Sequence, residues 1–302
     1  MPPLPPIKDV LEALQAMMFP AAGAAALVFA LVLILGRWAS AIGSAVAIVT
    51  GIAVGNHYRE APMPWVADVP SWHQLPRAAL LLVVVGLLSR WFSLLAARSV
   101  VDRPWLLHLV VWLPRLAALV FVAFQIIPET MRADTQWVIP AFALASLLEW
   151  LIFDTLARDG NGGQVAAYQS LIFLLGSGVM LYAHSGRFMD ISTIVGCAFF
   201  GVAVVSGATK TETSGSVPAG IGFLPGLMLS GRFSTDSQVP LLSFWLVAVA
   251  PLLLAPWLVP AIAHRNGWAV RIIRVVLILC ALGAALVLAG QKETLPWEEQ
   301  NW

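Results

Sequence analysis

Residues 161–186 read NGGQVAAYQSLIFLLGSGVMLYAHSG, twenty-six positions without one Asp, Glu, Lys or Arg. A helix rises ~1.5 Å per residue, so about 20 such residues cross the ~30 Å hydrocarbon core of a bilayer. Ala13–Gly36, Trp38–Tyr58, Ile191–Thr209 and Ser237–His264 are equally free of charge. Their apolar residues run on continuously instead of alternating, which argues against the strands of a membrane barrel. The fold class that follows is all-α: a polytopic transmembrane helical bundle.

Composition agrees. Apolar residues fill 60% of the 302 positions and charged ones only 11%, against ~25% charged in ordinary globular chains. There is too little polar side chain to cover a water-soluble surface. A net charge of +1 argues against nucleic acid as a partner, which leaves the lipid bilayer, other membrane proteins or further copies of the chain. Cys197 and Cys280 fall inside expected spans and read as small core residues.

The pattern predicts ten spans, at about 18–36, 39–56, 78–97, 105–128, 137–157, 164–183, 191–208, 214–230, 239–263 and 272–290. No connection is long enough for a separate domain, so 1–302 is read as one membrane domain. It comprises an N-terminal segment (1–17), the bundle (18–290) and a C-terminal tail (291–302). The N-terminus lacks the basic region of a cleavable signal, and 9–18 reads as a short helix lying at the interface. Trp38, Trp105, Trp137 and Trp268 stand at span ends, as an aromatic belt requires, while Trp65 and Trp72 suggest that the 56–77 loop lies on the membrane surface. Eight loop Lys and Arg on one side against seven on the other favour both termini outside the cytoplasm by a single residue. The expected location is a membrane of the bacterial inner (plasma) type.

Charges inside spans are the first unusual feature. Arg90, Arg115, Glu149 and Asp154 would each cost ~2.5–3.5 kcal/mol at mid-bilayer on insertion scales, so each is expected to face protein and find a partner. Arg115 and Glu149 lie thirteen residues either side of the 128–136 loop, ~20 Å from the same surface. This predicts an Arg115–Glu149 ion pair, with Arg90 as a candidate third member. His108 and Asp154 match each other at a shallower level. The competing readings are a purely structural pair and arginines that snorkel from shorter helices.

The second feature is Ser214–Gly226, SGSVPAGIGFLPG, uncharged but rich in helix breakers. Pro218, Gly220, Gly222, Pro225 and Gly226 predict a broken or re-entrant helix of the kind that binds substrates in transporters. The alternative is a Pro-kinked helix packed closely through its glycines. Third, Ser185-Gly186-Arg187-Phe188 recurs forty-five residues later as Ser230-Gly231-Arg232-Phe233. A like-oriented pair of hairpins would place Arg187 and Arg232 on one face.

Familiar catalytic and phosphate-binding signatures are absent. His57 and His73 share a loop with Glu60 and Asp68 but in no recognised ligand spacing, so neither metal nor cofactor is expected. The sequence leans to a small permease, with a non-catalytic membrane subunit or scaffold as the alternative and an enzyme as the least supported class. A permease should have a cavity reaching Arg115, Glu149 or the 214–226 segment; a scaffold should bury those groups in dry contacts.

Overall fold

The computed structural model describes residues 7–36, 39–58, 74–98, 104–127, 137–157, 162–233, 235, 237–259 and 267–293. The surface-loop tryptophans Trp65 and Trp72, together with Trp38, His73, Glu60, Asp68 and the tail beyond 293, lie outside these described residues. Ten helices follow in chain order: α1 (Ile7–Ile34), α2 (Ser40–Tyr58), α3 (Gln74–Arg98), α4 (Pro104–Ile126) and α5 (Val138–Leu156) form the first half. The second half is α6 (Gly162–Tyr182), α7 (Gly186–Thr209), α8 (Val217–Phe233), α9 (Leu241–Val249, continued as a 3₁₀ segment Ala250–Leu258) and α10 (Trp268–Gly290). No strand occurs among the described residues.

Eight of the ten helical segments are long and apolar enough to cross a membrane, so the chain is a multi-pass membrane protein. The two that fall short are α3, which carries Arg77, Arg90 and Arg98, and α8, which has only 17 residues. The outer surface is apolar: Leu27, Ile34, Ile272, Ile273 and Val287 stand exposed while Arg115, Glu149 and Arg274 are buried. That inversion suits lipid as the surrounding solvent. Trp137 and Trp268 are exposed at helix starts, where the belt was expected.

Helix α1 corrects the expectation of a separate interfacial helix. It runs unbroken from Ile7 through Pro20 to Ile34, because Met17, Ala21, Ala25 and Phe29 form one buried stripe at four-residue spacing and hold the chain straight across the proline. Small residues bring α1, α2 and α7 into close approach. Gly51 faces the Ala21 carbonyl and Ala25, and Gly201 faces the Ala22 carbonyl, with no room for a Cβ.

Contacts along the helices fix their directions. Gly55 meets Ala21 while Gly43 meets Phe29 and Val32, so α1 and α2 are antiparallel. Gly178 meets Leu286 and Gly290 meets Tyr182, so α6 and α10 run parallel, as an odd number of intervening crossings demands. The start of α1 and the end of α10 therefore share one end of the bundle, here termed the lower end. The upper end holds the 210–216 connection, where Thr213 Oγ1 donates to the Gly162 carbonyl (2.8 Å) and Gly215 presses on the Ala41 carbonyl.

Helix α8 overturns the expected break. It is a continuous helix from Val217 to Phe233. Pro218 falls in the first turn, where its missing amide costs nothing. The glycines admit neighbours: Leu82 packs on Gly222, and Leu75 with Ile126 on Gly226. The repeated tetrapeptides are not equivalent in structure. The first opens α7 after His184, whose φ of 57° ends the α6 turn, whereas the second is the last turn of α8, and α9 starts only at Leu241. Arg187 is exposed and Arg232 half-buried. The ninth span changes from α to 3₁₀ at Ala250, where Pro251 withdraws a helical donor.

Replacing Gly201 by Ala should force α7 away from the Ala22 carbonyl and cost about 1–3 kcal/mol. Gly283, with nothing within 4 Å of its added Cβ, should accept Ala with no loss or a gain of up to about 1 kcal/mol. Thermal unfolding of the two variants in detergent checks the contrast.

Candidate functional site

Arg115 does not meet Glu149. Its Nη1 donates to Asp154 Oδ2 at 3.1 Å and its Nε to Ser89 Oγ at 3.0 Å, and the guanidinium lies between the rings of Trp112 (4.6 Å) and Trp150 (4.7 Å). The physical reason is the unequal length of α4 and α5 below this level. Arg115 stands eleven residues above the end of α4 at Ile126, but Asp154 stands sixteen above the start of α5 at Val138. Helix α5 thus reaches about five residues deeper, which moves the partner of Arg115 from Glu149 to Asp154.

Arg90 is not a third member of this pair. It donates to Ser214 Oγ and to Glu212 Oε1 in the connection at the upper end. Helix α3 is displaced upward: Leu75 already lies at Gly226, Leu82 at Gly222 and Gly86 at Pro218. Arg90 therefore comes level with Ser214 instead of mid-bilayer, and α3 continues beyond it for eight residues, ~12 Å. Both arginines thus tie the upper end together, one through Glu212 and Ser214, the other through Asp154 and Ser89. His108 belongs to the backbone of α4, and its side chain lies outside the described residues.

Glu149 is left in a different setting. It is 1% exposed, and its Oε2 has no hydrogen-bond partner. On one side it lines a shallow cleft between α5, α8 and α9, about 440 Å³ with the open space at its mouth included. The walls are Phe142, Pro225, Met228, Phe244 and Trp245, and Arg232 stands at the lower end. Arg232 turns toward the chain, its Nη1 donating to the Ser237 carbonyl at 3.5 Å. On the other side Glu149 borders a second, smaller pocket, here called the inner cavity, with room for about one water-sized group and shared with Phe173, Gln169, Gly220 and Ile221. The Oε1 of Gln169 is also buried without a partner, while its Nε2 donates to the Val217 carbonyl at 3.4 Å.

The helix breakers of α8 shape this place. Gly220 has no side chain because the Gln169 amide fills the space a Cβ would take. Pro225 carries no amide, so the Ile221 carbonyl one turn earlier loses its ordinary helical donor. The inner cavity is bordered by two side chains that each carry a bare acceptor, Glu149 with its Oε2 and Gln169 with its Oε1, among otherwise apolar residues.

Gln169 and Glu212 were not singled out from the sequence. Neither was Arg274, which is fully buried with its guanidinium 5.1 Å from the Trp257 ring and bonded to the Tyr168 hydroxyl. The sequence count places it with the loop cations at the head of a span expected over 272–290, whereas α10 begins at Trp268 and holds Arg274 within the helix. No family model matches the chain, and no curated protein matches its sequence.

Asp154→Ala should cost about 3–5 kcal/mol because it strips the carboxylate from a buried guanidinium. Glu149→Gln, which breaks no pair, should cost about 1 kcal/mol or less. Denaturation in mixed micelles ranks the two, and the opposite order would restore the pairing counted from the sequence.

Proposed function

We propose that this chain is a small permease whose pathway includes the cleft between α5, α8 and α9. The observation that carries the reading is Glu149, a buried acid without a partner that lines the cleft. Such a group is costly to keep in a membrane unless something passes or binds beside it. The arrangement around it supports the same reading. Arg232 lines the cleft toward the lower end, and the upper end is tied by Arg90 to Glu212 and by Arg115 to Asp154. In alternating access one end is held shut while the other admits the substrate. The reading assigns no reaction to the chain and places it in a bacterial-type inner membrane.

The second reading, a non-catalytic subunit or scaffold, is favoured by the dry, aromatic-walled setting of the Arg115–Asp154 pair and the exposed apolar faces of α1 and α10. A partner protein or a second copy of the chain would cover those faces. Native mass in nanodiscs bears on this: fixed companions at constant stoichiometry favour the subunit.

The permease reading makes accessibility reciprocal. With Cys197 and Cys280 replaced by Ser, Ala145→Cys in the cleft should react with an impermeant thiol reagent added from the lower side. Cutting the upper tie with Arg90→Gln should slow that labelling several-fold and open Ser214→Cys to reagent from the upper side. Labelling at both positions that is indifferent to Arg90→Gln would favour the scaffold.

A further inference from the structure

We propose that the Glu149 cleft binds a primary ammonium compound with an apolar body, the ammonium in the inner cavity and the body in the outer cleft. The inference deepens the permease reading and rests on it for movement of the cation, although binding is measurable without transport. It starts from an imbalance of hydrogen-bonding groups. Glu149 Oε2 and Gln169 Oε1 are buried without hydrogen-bond partners, and both residues line the inner cavity. A buried acceptor left bare loses about 1–3 kcal/mol, and two beside one cavity call for a ligand with several donors. A primary ammonium offers three N–H groups and the positive charge that a carboxylate needs.

The outer cleft sets the rest of the molecule. Phe142, Phe244 and Trp245 give aromatic surface, Met228 and Pro225 give aliphatic surface, and the cleft offers no further acidic group. A hydrocarbon or aryl body fits such walls, and aromatic faces also favour a nearby cation. An anionic ligand would have to place its charge against Glu149 or leave it beside Arg232, stranding both acceptors. A polar, sugar-like ligand would find no partners along the walls.

Binding is coupled to protons through Glu149. A proton and the ammonium compete for the same carboxylate, so affinity should fall as the pH is lowered. A proton displaced from the carboxyl group leaves for solvent as the N–H donors close on its oxygens. The other charged groups around the site are held elsewhere: Arg232 by the Ser237 carbonyl, Arg115 by Asp154, and Arg90 by Glu212. Helices α6 and α9 face the cleft with Gln169 and with apolar or aromatic residues.

Three probes test the assignment on the full chain in nanodiscs by calorimetric titration, with protein-free nanodiscs subtracted. Phenethylammonium should bind; benzyltrimethylammonium, which has the charge but no donors, should bind about tenfold or more weakly; phenylacetate should not bind. Glu149→Gln should weaken phenethylammonium by about ten- to a hundredfold, and Gln169→Leu should weaken it less, while both retain the thermal transition of the parent. Lowering the pH should reproduce the Glu149→Gln loss in the parent and leave that variant unaffected. Undiminished binding to Glu149→Gln, equal binding of both cations, binding of phenylacetate that disappears in Arg232→Gln, or no binding of any probe at millimolar concentration overturns the proposal. If phenethylammonium binds as described but the cysteine labels fail to exchange accessibility, the site stands and the permease reading falls.

Discussion

The architecture depends on a central helix almost without bulk. Helix α8 touches every helix from α2 to α7 and also α9, and from Val217 to Met228 each of its residues is buried. A helix can serve so many neighbours at once only if their backbones come close, which requires small residues at the crossings. Gly220, Gly222 and Gly226 supply them, and Leu82, Leu75, Ile126 and the Gln169 amide occupy the vacated volume. Packing so tight on some sides leaves an unfilled wedge on another. The cleft beside Pro225 and Met228 is the space that α5 and α9 fail to close against the same helix.

The polar chemistry divides into two kinds. At the upper end charges are paired, stacked on indole rings and bonded to serines, so their desolvation is offset locally. Halfway down the bundle Glu149 Oε2 and Gln169 Oε1 are buried without hydrogen-bond partners, as are the Ser146 and Ser243 hydroxyls. Interactions of the first kind fix the relative height of α3, α4, α5 and the 210–216 connection. Of the second kind, Gln169 still packs α6 on α8 at Gly220, whereas the Glu149 carboxyl bonds to nothing in the fold. Groups that contribute little to folding, yet are expensive to bury, are the ones to examine for a ligand.

Span composition made the bundle legible in the sequence, because about twenty uncharged apolar residues have few other uses in a chain. Charge content likewise marked Arg90, Arg115, Glu149 and Asp154 as residues that must face protein. Their pairing was not legible. Counting from a shared loop assumes that the two helices of a hairpin reach the surface together, and α5 runs about five residues deeper than α4. The α8 segment misleads for another reason. Pro and Gly lower helix propensity, but burial against seven neighbours overrides propensity, and the glycines are there for what they omit. Gln169 carries no charge, and its role emerges only when Gly220 is seen against it.

The third wall of the cleft has mechanical consequences of its own. Leu241–Val249 is α-helical and Ala250–Leu258 is 3₁₀, and the 3₁₀ form rises ~2.0 Å per residue against ~1.5 Å. Eighteen residues thereby extend ~31 Å, whereas a uniform α-helix would reach only ~27 Å. The stretched half holds itself with poorer hydrogen-bond geometry and two prolines. A one-residue change in its winding would alter the length of the segment above the cleft wall by ~0.5 Å.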